Sequence, residues 1–274
     1  MTQKIAYLDC HSGVSGDMLL GAFLDVGLSL ETLKQALALL PVEGYELKLK
    51  PFGDYGITGS RFEVLLAEKD QPVRSFTAIA ALLQSSSLPK MLIDRAIAVF
   101  RTLGEAEAVI HGVALDEIYF HEVGAVDAIV DIVGTVIAID TLGITQLYAS
   151  PLPLTRGHLR MAHGLMPIPA PATLEILSQV KAPWLPCSLE EELVTPTGAA
   201  ILATLAHFKT PAIAIEQVGY GFGRKRIIWP NCLRACIGEA YGQIGSNSEL
   251  EHDYDHDNPP RHHEHSHSEV MGVG

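Results

Sequence analysis

The stretch VGAVDAIVDIVGTVIAIDTL, Val123 to Leu142, decides what kind of protein this is. It is apolar enough to be mistaken for a membrane span. It also holds Asp127, Asp131 and Asp140, each of which would cost about 2.5 to 3.5 kcal/mol near a bilayer centre. The apolar residues Val126, Ile129, Val130, Ile132, Val133, Val136 and Ile137 go all the way round a helix, which marks a helix buried in a protein core. The stretch therefore reads as a long buried helix from about Ala125. Asp127 and Asp131, spaced i,i+4, share one face of it.

Two like charges on one buried face repel, and a buried carboxylate is costly unless it is paired or ligates a metal. His121 and Glu122 lie just before the helix start and are close enough in sequence to join the same site. His with carboxylates suits nickel, zinc or manganese. The competing reading pairs the aspartates with Arg156, Arg160 or another base, and places Glu122 at the helix N-terminus for its dipole.

Outward from this helix the sequence is that of a globular chain: 274 residues, 48% hydrophobic, 19% charged and 7% aromatic. The net charge of −13 argues against nucleic acid or an anionic membrane as partner, because phosphate contacts need clustered Lys and Arg. It is compatible with holding cations. Two of the four cysteines, Cys232 and Cys236, fall in NCLRACIGE, which reads as a strand. Their Cα atoms would be about 13 Å apart, too far for a disulfide. No disulfide framework is visible, so a reducing, cytoplasmic setting is expected. The N-terminal MTQKIAYLDCHSG lacks the charged and apolar regions of a signal peptide.

IAYLDC reads as a first strand and HSGVSGD as a turn. A helix follows from about Ser15 to Gly27, and a second, capped by Ser29, runs over LETLKQALALL to Pro41. YELKLKPF and SRFEVLLAE read as strands joined by the Gly-rich GDYGITG. Ser75 to His111 is helical with a break at Leu88-Pro89. TQLYASPLPL is a strand leaving into a loop, and MPIPAPATLEIL is a loop that starts a helix at Pro171. TPTGAAILATLAHF is a helix with Thr195 as N-cap and Pro196 at its first position. IAIEQVGYGFG and NCLRACIGEA close the sequence as strands. The expected class is α/β to α+β, with helices packed on a mixed β-sheet. Past about Tyr241 the apolar residues run out, and six of the twelve histidines appear: His252, His256, His262, His263, His265 and His267. Such a segment cannot bury a core, so residues 1–244 are expected to fold and 245–274 to form a disordered His/Asp-rich tail. Imidazoles interleaved with carboxylates bind borderline divalent metals such as Ni²⁺ at several labile positions. A cloning tag is the alternative, and the interrupting Asp, Glu, Ser and Pro speak against it.

Three further segments could carry chemistry. In DCHSGVSGDM a strand enters a Gly- and Ser-rich turn ahead of a helix, a place where phosphate binds. Asp9 and Asp17 there could ligate a metal or orient a substrate, or Asp17 could simply serve as a first-turn cap. In RGHLRMAH, Arg156, His158, Arg160 and His163 would suit an anionic substrate, or form a solvated loop. In GYGFGRKR, three alternating glycines precede Arg224, Lys225 and Arg226 and could let backbone approach a phosphate, a weak signal by itself.

Taken in order, DCHSGVSGDM, FHEVGAVDAIVDIVG, YASPLPLTRGHLRMAHGLMPIPAPAT, ELVTPTGAA and GYGFG…PNCLRACIGE closely resemble the nickel-insertion protein of the nickel-pincer cofactor pathway, from about Ile5 to Glu239. The resemblance implies a CTP-dependent nickel insertase, a lyase of cyclometallase type. Its substrate is pyridinium-3,5-bisthiocarboxylic acid mononucleotide, and its product the nickel cofactor of lactate racemase. It further implies a C-terminal domain binding CTP with Mg²⁺ or Mn²⁺, which would begin where this chain stops. The chain is then the N-terminal part, expected to be inactive alone and to act with such a domain and with lactate racemase-type apoenzymes. A homo-oligomer is compatible with all of this. His11 departs from the family pattern, where an aromatic residue, usually Phe, is expected.

With the weight that the resemblance adds, the expected metal ligands are His121, Asp127 and Asp131, beside the tail histidines read from composition. The resemblance implies substrate contacts from Asp9, Ser12, Gly13, Ser15, Gly16, Asp17, Arg156, Arg160, Thr195 and Thr197. Catalytic roles fall to His121, Glu122 and His163, with His121 or His163 removing the ring proton as the carbon–nickel bond forms. Two readings from other classes compete. In one the chain is a nickel store or metallochaperone without catalysis. In the other it is a phosphatase- or kinase-like enzyme built on Asp9 and the SGVSGD turn.

Overall fold

The computed structural model describes residues 3–67, 73–120, 126–161 and 164–241. Its centre is a mixed sheet of seven strands: β1 (Lys4–Asp9), β2 (Tyr45–Asp54), β3 (Ile57–Leu66), β4 (Gln146–Ala149), β5 (Ala206–Phe208), β6 (Ile213–Phe222) and β7 (Cys232–Ala240). Their order is β5-β4-β1-β7-β6-β3-β2. The β5/β4, β4/β1 and β6/β3 pairs are parallel, and β1/β7, β7/β6 and β3/β2 antiparallel. The expected α+β class with helices on a mixed sheet is what the chain adopts.

Seven helices are described: α1 (Gly16–Asp25), α2 (Leu30–Leu37), α3 (Phe76–Gln84), α4 (Lys90–His111), α5 (Val126–Thr141), α6 (Pro171–Gln179) and α7 (Pro196–Leu205). Helix α1 lies directly on β6, β3 and β7, α5 packs on α1, and α4 and α6 pack outside α5 and α7. Strand β7 turns Leu233, Ala235 and Ile237 to the core, where they are fully buried, whereas Arg234 is exposed. Helix α5 is buried on every side from Val126 to Ile139 except at Asp127 and Asp131, which are half-buried. Burying each of its Val and Ile side chains stabilises the fold by about 1.5–3 kcal/mol. No helix among the described residues is long and apolar enough to cross a membrane.

The close seating of α1 explains the glycines of GYGFG. A Cβ at Gly221 would overlap the carbonyl oxygen of Met18 and come within 2.5 Å of the Ala22 nitrogen. One at Gly219 would lie 2.6 Å from the Ala22 carbonyl oxygen. These glycines admit a helix rather than a phosphate.

Some boundaries differ from the sequence expectation for local reasons. The connector GDYGITG is mostly strand, and the turn shrinks to Tyr55 and Gly56 with φ of 48° and 82°. Two left-handed residues suit the twist of a tight hairpin. The second helix ends at Leu37, and the helix from Pro196 ends at Leu205, where Ala206–Phe208 leaves to pair with β4. The segment expected as a loop after Thr155 holds a β-hairpin, His158–Met161 against Gly164–Pro167. All four cysteines are free. The expectation of a disordered tail lies outside the described residues.

Candidate functional site

The connection from β1 to α1 is held from below. Gly13, at φ 88°, donates its N–H to the Cys10 carbonyl (2.7 Å), and Val14 donates to the Leu193 carbonyl (2.8 Å). Thr195 returns a bond to the Val14 carbonyl (3.1 Å), and its Oγ1 caps α7 by accepting from the Gly198 N–H (3.2 Å). Gly198 sits so close to this turn that an added Cβ would lie 3.1 Å from the Ser15 Cα. The first turns of α1 and α7 therefore meet at Ser15.

Helix α5 completes the site. A Cβ on Gly16 would lie 2.5 Å from Oδ2 of Asp131, so the Asp131 carboxyl rests against the backbone at the start of α1. Only glycine fits at position 16 while Asp131 occupies this place. Asp17, in the first turn of α1, accepts from the Met18 N–H (2.9 Å) and from the Ser15 hydroxyl. Oδ2 of Asp17 lies 3.5 Å from Nε of Arg224. Asp127 accepts from the Ala128 N–H at 2.9 Å. Three carboxyls thus gather where two helices present their positive ends, which favours negative charge. The anion at the start of α1 is Asp17's own carboxylate, and the turn read as a phosphate cradle spends two of its N–H groups on Cys10 and Leu193.

Asp131 is the unusual member. Its Oδ1 is fully buried and has no hydrogen-bond partner among the described residues. Burial, with the nearby charges of Asp17 and Asp127, holds its carboxyl well above the usual carboxylate range, against a smaller opposing effect of Arg224. A proton held there must leave before the group ligates a cation, so cation binding would release it. The sign for stability follows. The folded chain keeps a proton that the unfolded chain loses, so stability falls as pH rises through the window above the unfolded value. Asp131→Asn is expected to melt at a higher temperature than the metal-free wild type at pH 8. The gap should shrink as the pH is lowered towards the ordinary carboxylate range, and thermal melts at pH 5 and 8 read it.

Among the described residues, no three His, Cys, Asp or Glu side chains are grouped so as to hold a metal ion by themselves. His121, Glu122 and His163, and the tail's His252, His256, His262, His263, His265 and His267, lie outside the described residues. The base beside the carboxyls is Arg224, from the segment that sequence reading weighed for phosphate; Arg156 instead approaches exposed Glu190 at 3.8 Å. Arg156 and Arg160 are exposed, with Arg160 on the hairpin; Thr197 is half-buried in the first turn of α7. Asp9 pairs with Arg234, directly opposite it in the β1/β7 register. Ser12 is 3% exposed and bonded to the Trp229–Pro230 segment. Sequence reading missed Trp229, which no motif marked.

A mixed sheet whose helices bring three carboxyls and an arginine to one partly buried place defines an α+β protein with an acidic site. The chain belongs to the nickel insertion protein family, whose model matches residues 6–272. It is 49% identical over 249 residues to a nickel insertion protein of Thermomicrobium roseum, covering 90% of this chain and 61% of that protein. It is 47% identical over 238 residues to the pyridinium-3,5-bisthiocarboxylic acid mononucleotide nickel insertion protein of Desulfitobacterium hafniense (strain DSM 10664 / DCB-2), covering 86% and 58%. The chain thus spans about three fifths of the length of such relatives. No solved structure matches it.

Proposed function

We propose that the chain is the nickel- and precursor-binding part of an insertase that places Ni²⁺ in pyridinium-3,5-bisthiocarboxylic acid mononucleotide. The product is the nickel-pincer cofactor of lactate racemase. The observation that carries this reading is Asp131: a carboxyl whose Oδ1 is buried and has no hydrogen-bond partner among the described residues, beside Asp17 and Asp127, in a chain of the nickel insertion family. Most buried polar groups are hydrogen-bonded, and a bound ion is one thing that completes an exception. Ni²⁺ is the completing group, with His121 and Glu122 supplying further donors from the segment leading into α5.

In the reaction the two thiocarboxylate sulfurs take the ion from these hard ligands, for which soft donors compete well. The carbon–nickel bond forms as the ring C–H bond breaks, and the proton passes to His121 or His163. Nickel remains divalent, so no oxidant is needed. The six tail histidines raise the local Ni²⁺ concentration as a labile reservoir. CTP, with Mg²⁺ or Mn²⁺, acts through a separate C-terminal domain or chain, and the whole works in the cytoplasm as a lyase.

The test mixes the chain with the C-terminal part of a full-length relative, Ni²⁺, CTP with Mg²⁺, and the bisthiocarboxylic acid mononucleotide. Mass spectrometry should show one nickel gained and the ring proton lost. No product, where the full-length relative makes it under the same conditions, overturns the reading. A nickel store would bind the ion and leave the nucleotide unbound.

A further inference from the structure

Two cavities share one ring pair in their linings. His11 and Trp229 stand with centroids 5.6 Å apart and planes inclined at 43°. One cavity, of about 330 Å³, runs from the pair to Ser150 and Cys187. The other, of about 490 Å³, runs from the pair to Tyr220, Cys232 and Arg234. Asp9, His11 and Trp229 line both. Each volume is in the range of small-molecule sites, roughly 300–1,000 Å³.

Trp229 is held ready. Its Nε1–H donates to Oγ of Ser12 (3.1 Å), and the Ser12 hydroxyl donates to the Pro230 carbonyl (2.8 Å). The loop carrying it is tied at its ends, by the Gly223 N–H to the Asn231 carbonyl (2.9 Å) and by Asn231 Nδ2 to the Lys225 carbonyl (2.9 Å). A side chain fixed before binding loses little freedom when a ligand arrives. Beside it, Asp9 and Arg234 present a carboxylate and a half-exposed guanidinium together. An aromatic face, a negative group and a planar donor fork match a flat cation that carries anionic substituents. Such a ring would stack on Trp229, its charge facing Asp9 and an anionic group meeting Arg234.

The cleft lies on the other half of the turn that carries the acidic site. Ser12 closes the cleft and Ser15 opens α1, three residues apart, so their Cα atoms are at most about 11 Å apart. A mononucleotide seated in the cleft lies within reach of Asp17 and Asp131.

We propose that the His11–Trp229 cleft binds the pyridinium ring of a pyridinium mononucleotide, with Asp9 and Arg234 as its charged partners and Ser12 as the residue that positions Trp229. The identity of the ligand rests on the reading under Proposed function; the place does not. The test is a calorimetric titration of the full chain, without nickel, with pyridinium-3,5-bisthiocarboxylic acid mononucleotide. Trp229→Ala should bind roughly 10- to 100-fold more weakly, the loss of one aromatic stack. Trp229→Phe, which keeps a ring, should stay within about threefold, and Trp184→Phe, at the other tryptophan, should match wild type. Circular dichroism melts establish that each variant is folded. If folded Trp229→Ala and Trp229→Phe both bind as wild type does, the cleft is not the ring's seat and the insertase reading stands. If the wild type binds no pyridinium mononucleotide, both fall together.

Discussion

Gly221→Ala is expected to lower the melting temperature by about 6–12 °C, the shift that a loss of about 3 kcal/mol produces in a domain of this size. The new methyl would overlap the Met18 carbonyl oxygen and press on the Ala22 nitrogen. Both are helix backbone, so no side chain can swing aside. Helix α1 must lift away from β6, and its buried residues Leu19, Leu20, Ala22 and Phe23 would lose their close packing together. The same movement would draw Gly16 away from Asp131 and disturb the acidic site. A thermal melt followed by circular dichroism measures the effect; a midpoint within about 2 °C of wild type would mean that α1 is not seated as described.

The second large effect concerns chemistry. Asp127→Asn with Asp131→Asn is expected to reduce nickel insertion at least about 100-fold in the reconstituted reaction, in line with the loss of charged groups that hold a reacting ion. The replacements keep the shape of both side chains and remove their ability to ligate the ion as carboxylates. Asp131 Oδ1 has no hydrogen-bond partner among the described residues, so its fold role should survive the change. Precursor binding, placed in the His11–Trp229 cleft, should change little, so the loss should appear in turnover rather than in nucleotide affinity. Equal loss of both would place the carboxyls in the precursor's own seat.

Much of the fold was legible because its signals were local. The all-round apolar surface of α5, interrupted at Asp127 and Asp131, the Thr195-Pro196 start of α7 and the break at Leu88-Pro89 each follow from short-range chemistry, and each stands in the structure. The hairpin His158–Met161 with Gly164–Pro167 was not legible, because its flanking Pro and charged residues mask a short strand signal. The role of GYGFG depended on which element would land on it. Only the packed fold shows that α1 does, and that Gly219 and Gly221 make room for it.

The candidate site was legible in part. The i,i+4 spacing of Asp127 and Asp131 in an apolar helix put both on one face, and Asp131 Oδ1 is buried with no hydrogen-bond partner among the described residues. Its neighbours Asp17 and Arg224 come from positions more than ninety residues away along the chain on either side, a proximity no spacing rule encodes. Ser12 and Trp229 are likewise joined only by the fold, 217 residues apart.

The central claim is that the carboxyls at the start of α1 and α5 hold the nickel ion that is inserted. The most direct measurement is a nickel titration of the full chain with His252, His256, His262, His263, His265 and His267 replaced by alanine, so that the reservoir is silent. It is run with the bisthiocarboxylic acid mononucleotide present and absent, beside the same chain carrying Asp127→Asn and Asp131→Asn. The account predicts one equivalent bound by the carboxylate chain, with protons released as Asp131 ionises, and none by the folded Asn chain before the precursor is added. One equivalent bound equally by both chains, or none by either with precursor present, would contradict it.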